Sequence, residues 1–508
     1  SGAINMATVT TISSSSISDI LEIVNNTNAA FTTAGNYAVT ISDTSASAAN
    51  IKLINDDSSG AINMAAVATI TSSSASDVLE IVNNTNAAFT TATDYAVTLS
   101  GTTSAANANT IMNDTAGIVT ATVTATGAVS NLNSALSNAS ANDALTLVLN
   151  ATTASAADLN TLNGKTSVNV DASSITAITS STADAVNTAV TNISAVGLDG
   201  NWDVTLSDTT LSAAEVKTIN ASTSGEIDMS AATTISSSST SDVLEIVQNT
   251  GAAFTTATDY AVTLSDTASA ANANTIMNDT AGIVTATVTA TGAVSNLNSA
   301  LSNASANDAL TLVLNATTAS AADLNTLNGK TSVNVDASSI TAITSSTADA
   351  VNTAVTNISA VGLDGNWDVT LSDTTLSAAE VKTINAQTSG EIDMSAATTI
   401  SSSSISDILE IVQNTGATFE TAGNYAVTLS DTSASAANIK LINDDSSGAI
   451  NMAAVATITS SSASDVLEIV NNTNAAFTTA TDYAVTLSGT TSAANANTIM
   501  NDTAGIVT

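Results

Sequence analysis

This 508-residue chain has no cysteine, histidine, arginine or proline, and only 2% of it is aromatic. Each absence removes chemistry. Without cysteine there is no disulfide, thiol nucleophile, zinc–thiolate site or iron–sulfur cluster. Without histidine there is no imidazole base and no Ser-His-Asp triad. Without arginine there is no guanidinium clamp for phosphate. Positive charge is scarce too: six basic residues, all lysine, face 44 acidic ones, for a net charge of −38 at pH 7. Such a surface repels nucleic acid and anionic membranes and attracts cations. No apolar run approaches the roughly 18 residues of a membrane span, so no membrane insertion is expected.

What remains is an acidic chain rich in Ala, Ser, Thr, Asn, Val and Ile. Apolar residues make up 44% of it, enough to bury a core. With so few aromatics, that core must be built from small and branched side chains.

The dominant feature is repetition. A strand-like run reads YAVTIS at Tyr37, YAVTLS at Tyr95, Tyr260, Tyr425 and Tyr483, and WDVTLS at Trp202 and Trp367. LTLVLN at Leu145 and Leu310 is its divergent form. These starts contain every tyrosine and tryptophan of the chain. The five phenylalanines likewise hold one repeat position each: Phe31, Phe89, Phe254, Phe419 and Phe477. The starts divide the chain into modules 37–94, 95–144, 145–201, 202–259, 260–309, 310–366, 367–424 and 425–482, with partial modules 1–36 and 483–508. A longer period is superposed. SDTTLSAAEVKTIN recurs 165 positions apart, at Ser207 and Ser372, and residues 59–120 return unchanged as 447–508. Both ends fall inside modules, which suggests a window on a longer array, continued covalently or by self-association.

Each module reads as strand, helix, strand, helix. Trp202, Val204 and Leu206 alternate with polar residues, the period of a half-buried strand. Ser212 and Glu215 form an S-x-x-E capping box, with Leu211 and Val216 at staple positions. Val216 and Ile219 give this helix its inner face, and Gly225 is available for the turn beyond it. Ile227, Met229 and Ile235 make a short second strand; in another module Val168, Val170 and Ile175 occupy that stretch. The second helix, SDVLEIV, places Val243, Leu244 and Val247 on an apolar stripe. One module is too small to bury these faces alone and has no disulfide or metal staple. Stacking on its neighbours solves the problem. The expected fold is an α/β repeat solenoid with stacked parallel strands. Strands stack at about 4.8 Å and helices at about 8–10 Å, so such a solenoid should curve into a superhelix. An all-β solenoid is the competing fold.

Candidate chemistry is sparse. The pairs Asp56–Asp57 and Asp444–Asp445, in INDDSSG, are the best calcium candidates, although no D-x-[DN]-x-[DN]-G loop is present. Asp43, Asp208, Asp266, Asp373 and Asp431 follow the first strand. Gly or Ala replaces them in four other modules, so turn or cap roles fit them better. Asp19/Glu22, Asp77/Glu80, Asp242/Glu245, Asp407/Glu410 and Asp465/Glu468 have the spacing of helix starts rather than of a catalytic pair. TATVTAT at Thr120–Thr126 reads as an ordinary strand. Lys52, Lys165, Lys217, Lys330, Lys382 and Lys440 are placed by the repeat.

The tandem VTLSDT…SAAEV…IN…SGEIDMSAATTIS modules, in their acidic Ala/Ser/Thr/Asn-rich setting, resemble giant repetitive surface and extracellular proteins of marine cyanobacteria and other aquatic bacteria. The resemblance implies secretion, a very long parent chain and a role in coats, adhesion or filaments. The expectation is therefore a non-enzymatic structural protein of an extracellular filament or surface layer. An adhesin stalk or a cation- or glycan-binding surface protein is the alternative.

Overall fold

A helix begins every 24–31 residues along the chain, each following a short strand. The computed structural model describes residues 2–193, 198–333, 335–358 and 363–508. Ser1, read above as an interior start, lies outside them. Among the described residues there are 18 helices, and every described strand pair is parallel. The α/β expectation holds and the all-β alternative falls. Local chemistry explains why. Most helices follow a serine whose Oγ accepts the N3 amide, as Ser47, Ser155 and Ser269 do. Such caps stop the preceding strand and start the helix.

The chain divides into two compact units, Ser1–Ser236 with Ser241–Tyr260, and Ser237–Thr240 with Ala261–Thr508. In the first, Thr11–Ser15, Ala38–Ile41, Ile62–Met64 and Phe89–Thr91 lie side by side in that order. Each strand therefore pairs with the repeat before it and the repeat after it. In the second, Thr318–Ala319, Ala342–Ser346, Asp368–Leu371, Glu391–Asp393 and Thr418–Glu420 follow the same rule. Helices run beside their sequence neighbours, and the Ala105–Asp114 helix packs on the following strand, Val119–Thr124.

The core lies between repeats. Val204, Leu206, Val216, Ile219 and Val243 are buried, and so are Val369, Leu371, Val381, Ile384 and Ile408 at the same places 165 residues on. Burying each such side chain stabilises by about 1.5–3 kcal/mol. All five tyrosines and both tryptophans are buried at strand starts, and Leu145 and Leu310 fill that place in the divergent modules.

Three details differ from the pattern reading. Leu244 and Val247 are only half-buried, and Ile246 takes the inner place. The eight-residue helix presents a narrow stripe, and the step from Val243 to Ile246 follows it. The strand part of many repeats is also two strands rather than one. Asp203–Leu206 and Thr210–Ser212 both precede one helix, and Ile227–Met229 and Thr234–Ser238 both precede the next. Finally, the stretch around Val168 and Val170 contributes only a single bridge, between Val148 and Asp171. Val168 stands where most repeats have glycine. At Gly117 a Cβ would lie 2.4 Å from the carbonyl oxygen of Tyr95, so a valine there must move the chain off the ladder.

Candidate functional site

The polar side chains converge on the junctions between repeats. A helix start leaves backbone amides without partners. The N-cap serine satisfies one of them. The amide of the first helical residue is reached from the next repeat. The Ile17 N–H donates to Asp43 at 2.7 Å, Ala183 to Asp208 at 2.8 Å, Thr240 to Asp266 at 2.8 Å, Ala348 to Asp373 at 2.8 Å and Ile405 to Asp431 at 2.7 Å. The cap reading of these aspartates thus acquires a direction. Each caps the helix of the preceding repeat, 25–26 residues back, not its own.

In the intervening repeats a serine does the same work. Ala48 donates to Ser73 Oγ at 2.7 Å, Ala156 to Ser181 at 2.8 Å and Ala378 to Ser403 at 2.8 Å. The residue before each is a serine in the left-handed region: Ser72 at φ 42°, Ser180 at 41° and Ser402 at 33°. The ladder register shifts at the same point, as between Ile70 and Ser73. The serine runs are thus β-bulges that put a hydroxyl on a neighbouring helix start.

The lysines and the acidic pairs meet across the same junctions. Lys217 Nζ lies 2.7 Å from Asp242 and 2.9 Å from Glu245, and Lys382 lies 2.8 Å from both Asp407 and Glu410. Lys52 reaches Glu80 at 2.6 Å, and Lys440 reaches Glu468 at 2.8 Å. Hydrogen bonds to Asp242 and then Glu245 push the Lys217 ammonium up to about 12. The bond from Lys382, then that from Ser404, holds the Asp407 carboxyl below its ordinary range. Lys165 and Lys330 donate instead to the carbonyls of Leu136 and Leu301. The Ser212–Glu215 capping box is present as read.

A third set of contacts closes each repeat on itself. Tyr37 Oη donates to Asp57 at 2.6 Å, and Tyr425 donates to Asp445 at 2.5 Å. Burial, then the bond to Asp57, pushes the Tyr37 phenol far up. The next residue, Ser58, donates its hydroxyl to the Tyr37 carbonyl at 2.7 Å and accepts the Gly60 amide. Thr223 and Gly225 repeat this arrangement at Trp202. Gly225 is not a helix C-cap: Ala221 holds that place. The buried Asn55 ties one repeat to the next, donating to the Thr85 carbonyl and accepting the Ala87 amide.

The calcium candidates therefore face different partners. Asp57 and Asp445 accept from tyrosines, while Asp56 and Asp444 lie 3.4 and 3.2 Å from lysines. Among the described residues no group of three or more acidic side chains is arranged to hold a metal ion. Nor, among them, is any helix long and apolar enough to cross a membrane. Sequence reading missed the Ser/Thr-x-Gly signature and the hydroxyl caps of the serine runs. The position of the signature, 20 or 21 residues after the aromatic start, as in Tyr95–Thr115 and Tyr37–Ser58, was the available signal. Comparison with protein-family models, curated proteins and solved structures gives no match.

Proposed function

We propose that the chain is part of a long structural solenoid, built into an extracellular filament or surface layer and without enzymatic activity. One observation carries the reading. Many of the groups that would serve chemistry elsewhere, namely carboxylates, lysines and hydroxyls, are engaged in bonds within a repeat or to an adjacent one. Each repeat supplies the cover and the caps of its neighbour, so the design suits linear extension. The different spacings of strands and helices would curve the stack into a superhelix. Further copies would join it by covalent continuation or by self-association. The unpaired acidic surface keeps the array hydrated and takes up counterions, calcium among them, by diffuse screening.

Immunogold electron microscopy of native cells tests the reading. An antibody to the repeat is expected to decorate surface fibres or a coat. Label confined to the cell interior would contradict it.

A further inference from the structure

We propose that the seven-residue helices Val129–Ala135 and Val294–Ala300 are the first elements of the array to open, and that they act as flexure joints recurring every 165 residues. The flexural role rests on the structural reading above; the opening does not. Two features set these helices apart: an uncapped start and the cavities beside them.

Their starts are uncapped. Ala128 and Ala293 stand at the N-cap with no side-chain hydrogen bond, whereas a serine or threonine hydroxyl makes that bond at helices such as Ile17–Val24, Ala156–Asn163, Ala183–Ile193 and Ile405–Val412. Gly127 and Gly292, one residue earlier, both have φ of 93°. Cavities lie near these helices. Polar cavities of about 250 and 180 Å³ lie between the end of the preceding helix and the segment that follows each short helix, lined by Thr115, Asn138 and Asp143 and by Thr280, Asn303 and Asp308. At the second helix a further cavity of about 300 Å³ is lined by Ala270 and Ala271 on one side and by Asn296, Leu297 and Ala300 on the other.

Their polar contacts are incomplete. Asn133 and Asn298 each donate to a carbonyl of the following helix at 2.9 Å and their Oδ1 atoms are buried without a partner, a deficit shared by Asn160 and Asn325 in the helices that follow and so not what sets these two apart. Their C-terminal ends, by contrast, are held: Lys165 and Lys330 donate to the carbonyls of the C-cap residues Leu136 and Leu301, so the weak point is the helix start.

The adjacent strands are the opposite. Val119–Thr124 pairs with Ala144–Val148 over five consecutive residues and also with Ala96–Thr103 on its other side. Opening the helix would leave this ladder closed. The strand layer would stay continuous while the helix layer lost a member, which permits bending rather than extension.

Hydrogen exchange of the intact chain, read by mass spectrometry, tests this. Amides of Val129–Ala135 and Val294–Ala300 are expected to exchange at least about tenfold faster than those of Ala156–Asn163, Ala321–Asn328 and the Val119–Thr124 strand. The double substitution Ala128→Ser and Ala293→Ser supplies the missing caps and should slow that exchange about fivefold, with no change in other helices. Equal protection in the short and neighbouring helices would overturn the proposal. So would joint exchange of helix and strand, or no response to the added caps. None of these outcomes depends on where the chain resides in the cell.

Discussion

Gly225 shows how much one atom matters in a stacked repeat. Its backbone passes so close to the Trp202 carbonyl that a Cβ would lie 2.3 Å from that oxygen. The obstacle is backbone, which cannot rotate away. Gly225→Ala should therefore cost at least about 2 kcal/mol, read as a lower urea midpoint. The tyrosines give a second residue-scale expectation. Burial first, and then the bonded aspartate, raises the phenols of Tyr37, Tyr95, Tyr425 and Tyr483 above their ordinary value. A folded pKa above the unfolded one, about 10, means that this stabilisation is complete below pH ~10. It is lost as pH rises further. Tyrosinate absorbance should accordingly appear together with unfolding. Tyrosinate forming near pH ~10 with the fold intact would contradict this. Aromatic placement was legible in the sequence because the residues are rare and periodic. The role of Gly225 was not, because close approach of two backbones leaves no periodic trace within a single repeat.

At the scale of elements, helices and capping boxes were readable from short-range spacing. Ser212 and Glu215 sit three apart, and their bond forms within one turn. The inner stripe was read one residue off, at Leu244 and Val247 instead of Ile246, because apolar residues fill both sides of that short helix. The aspartates after the strands were read as turn or cap residues, but the helix they serve lies a repeat away. Local spacing cannot specify that partner; only stacking does. The consequence is testable. Asp208→Ala removes the side-chain acceptor of the Ala183 amide. The loss should be about 1–2 kcal/mol, with increased hydrogen exchange in the Ala183–Ile193 helix rather than in the helix that follows Asp208. Asp208→Asn should keep part of the stability. Disturbance confined to the Ala213–Asn220 helix would show that the cap acts within its own repeat. The serine runs were the least legible elements. A low-complexity stretch such as TISSS at Thr399–Ser403 hides one bulge residue, Ser402, and one cap residue, Ser403, behind identical letters.

For the molecule as a whole, the central claim is that each repeat is stable only through its neighbours. Repetition and the lack of any staple made this readable from the sequence. The register could not be read there, since strand offsets between repeats vary with turn length: Val39 pairs with Ile62, but Ile62 pairs with Phe89. Nearest-neighbour coupling makes stability depend on repeat number. The most direct measurement is denaturant unfolding of a nested series comprising residues 202–259, 202–366 and 37–482. The account predicts that 202–259 alone is unfolded, that 202–366 folds, and that the midpoint rises again for 37–482 towards a plateau. If 202–259 folds alone with the midpoint of the longest chain, the modules are independent domains and the account is wrong.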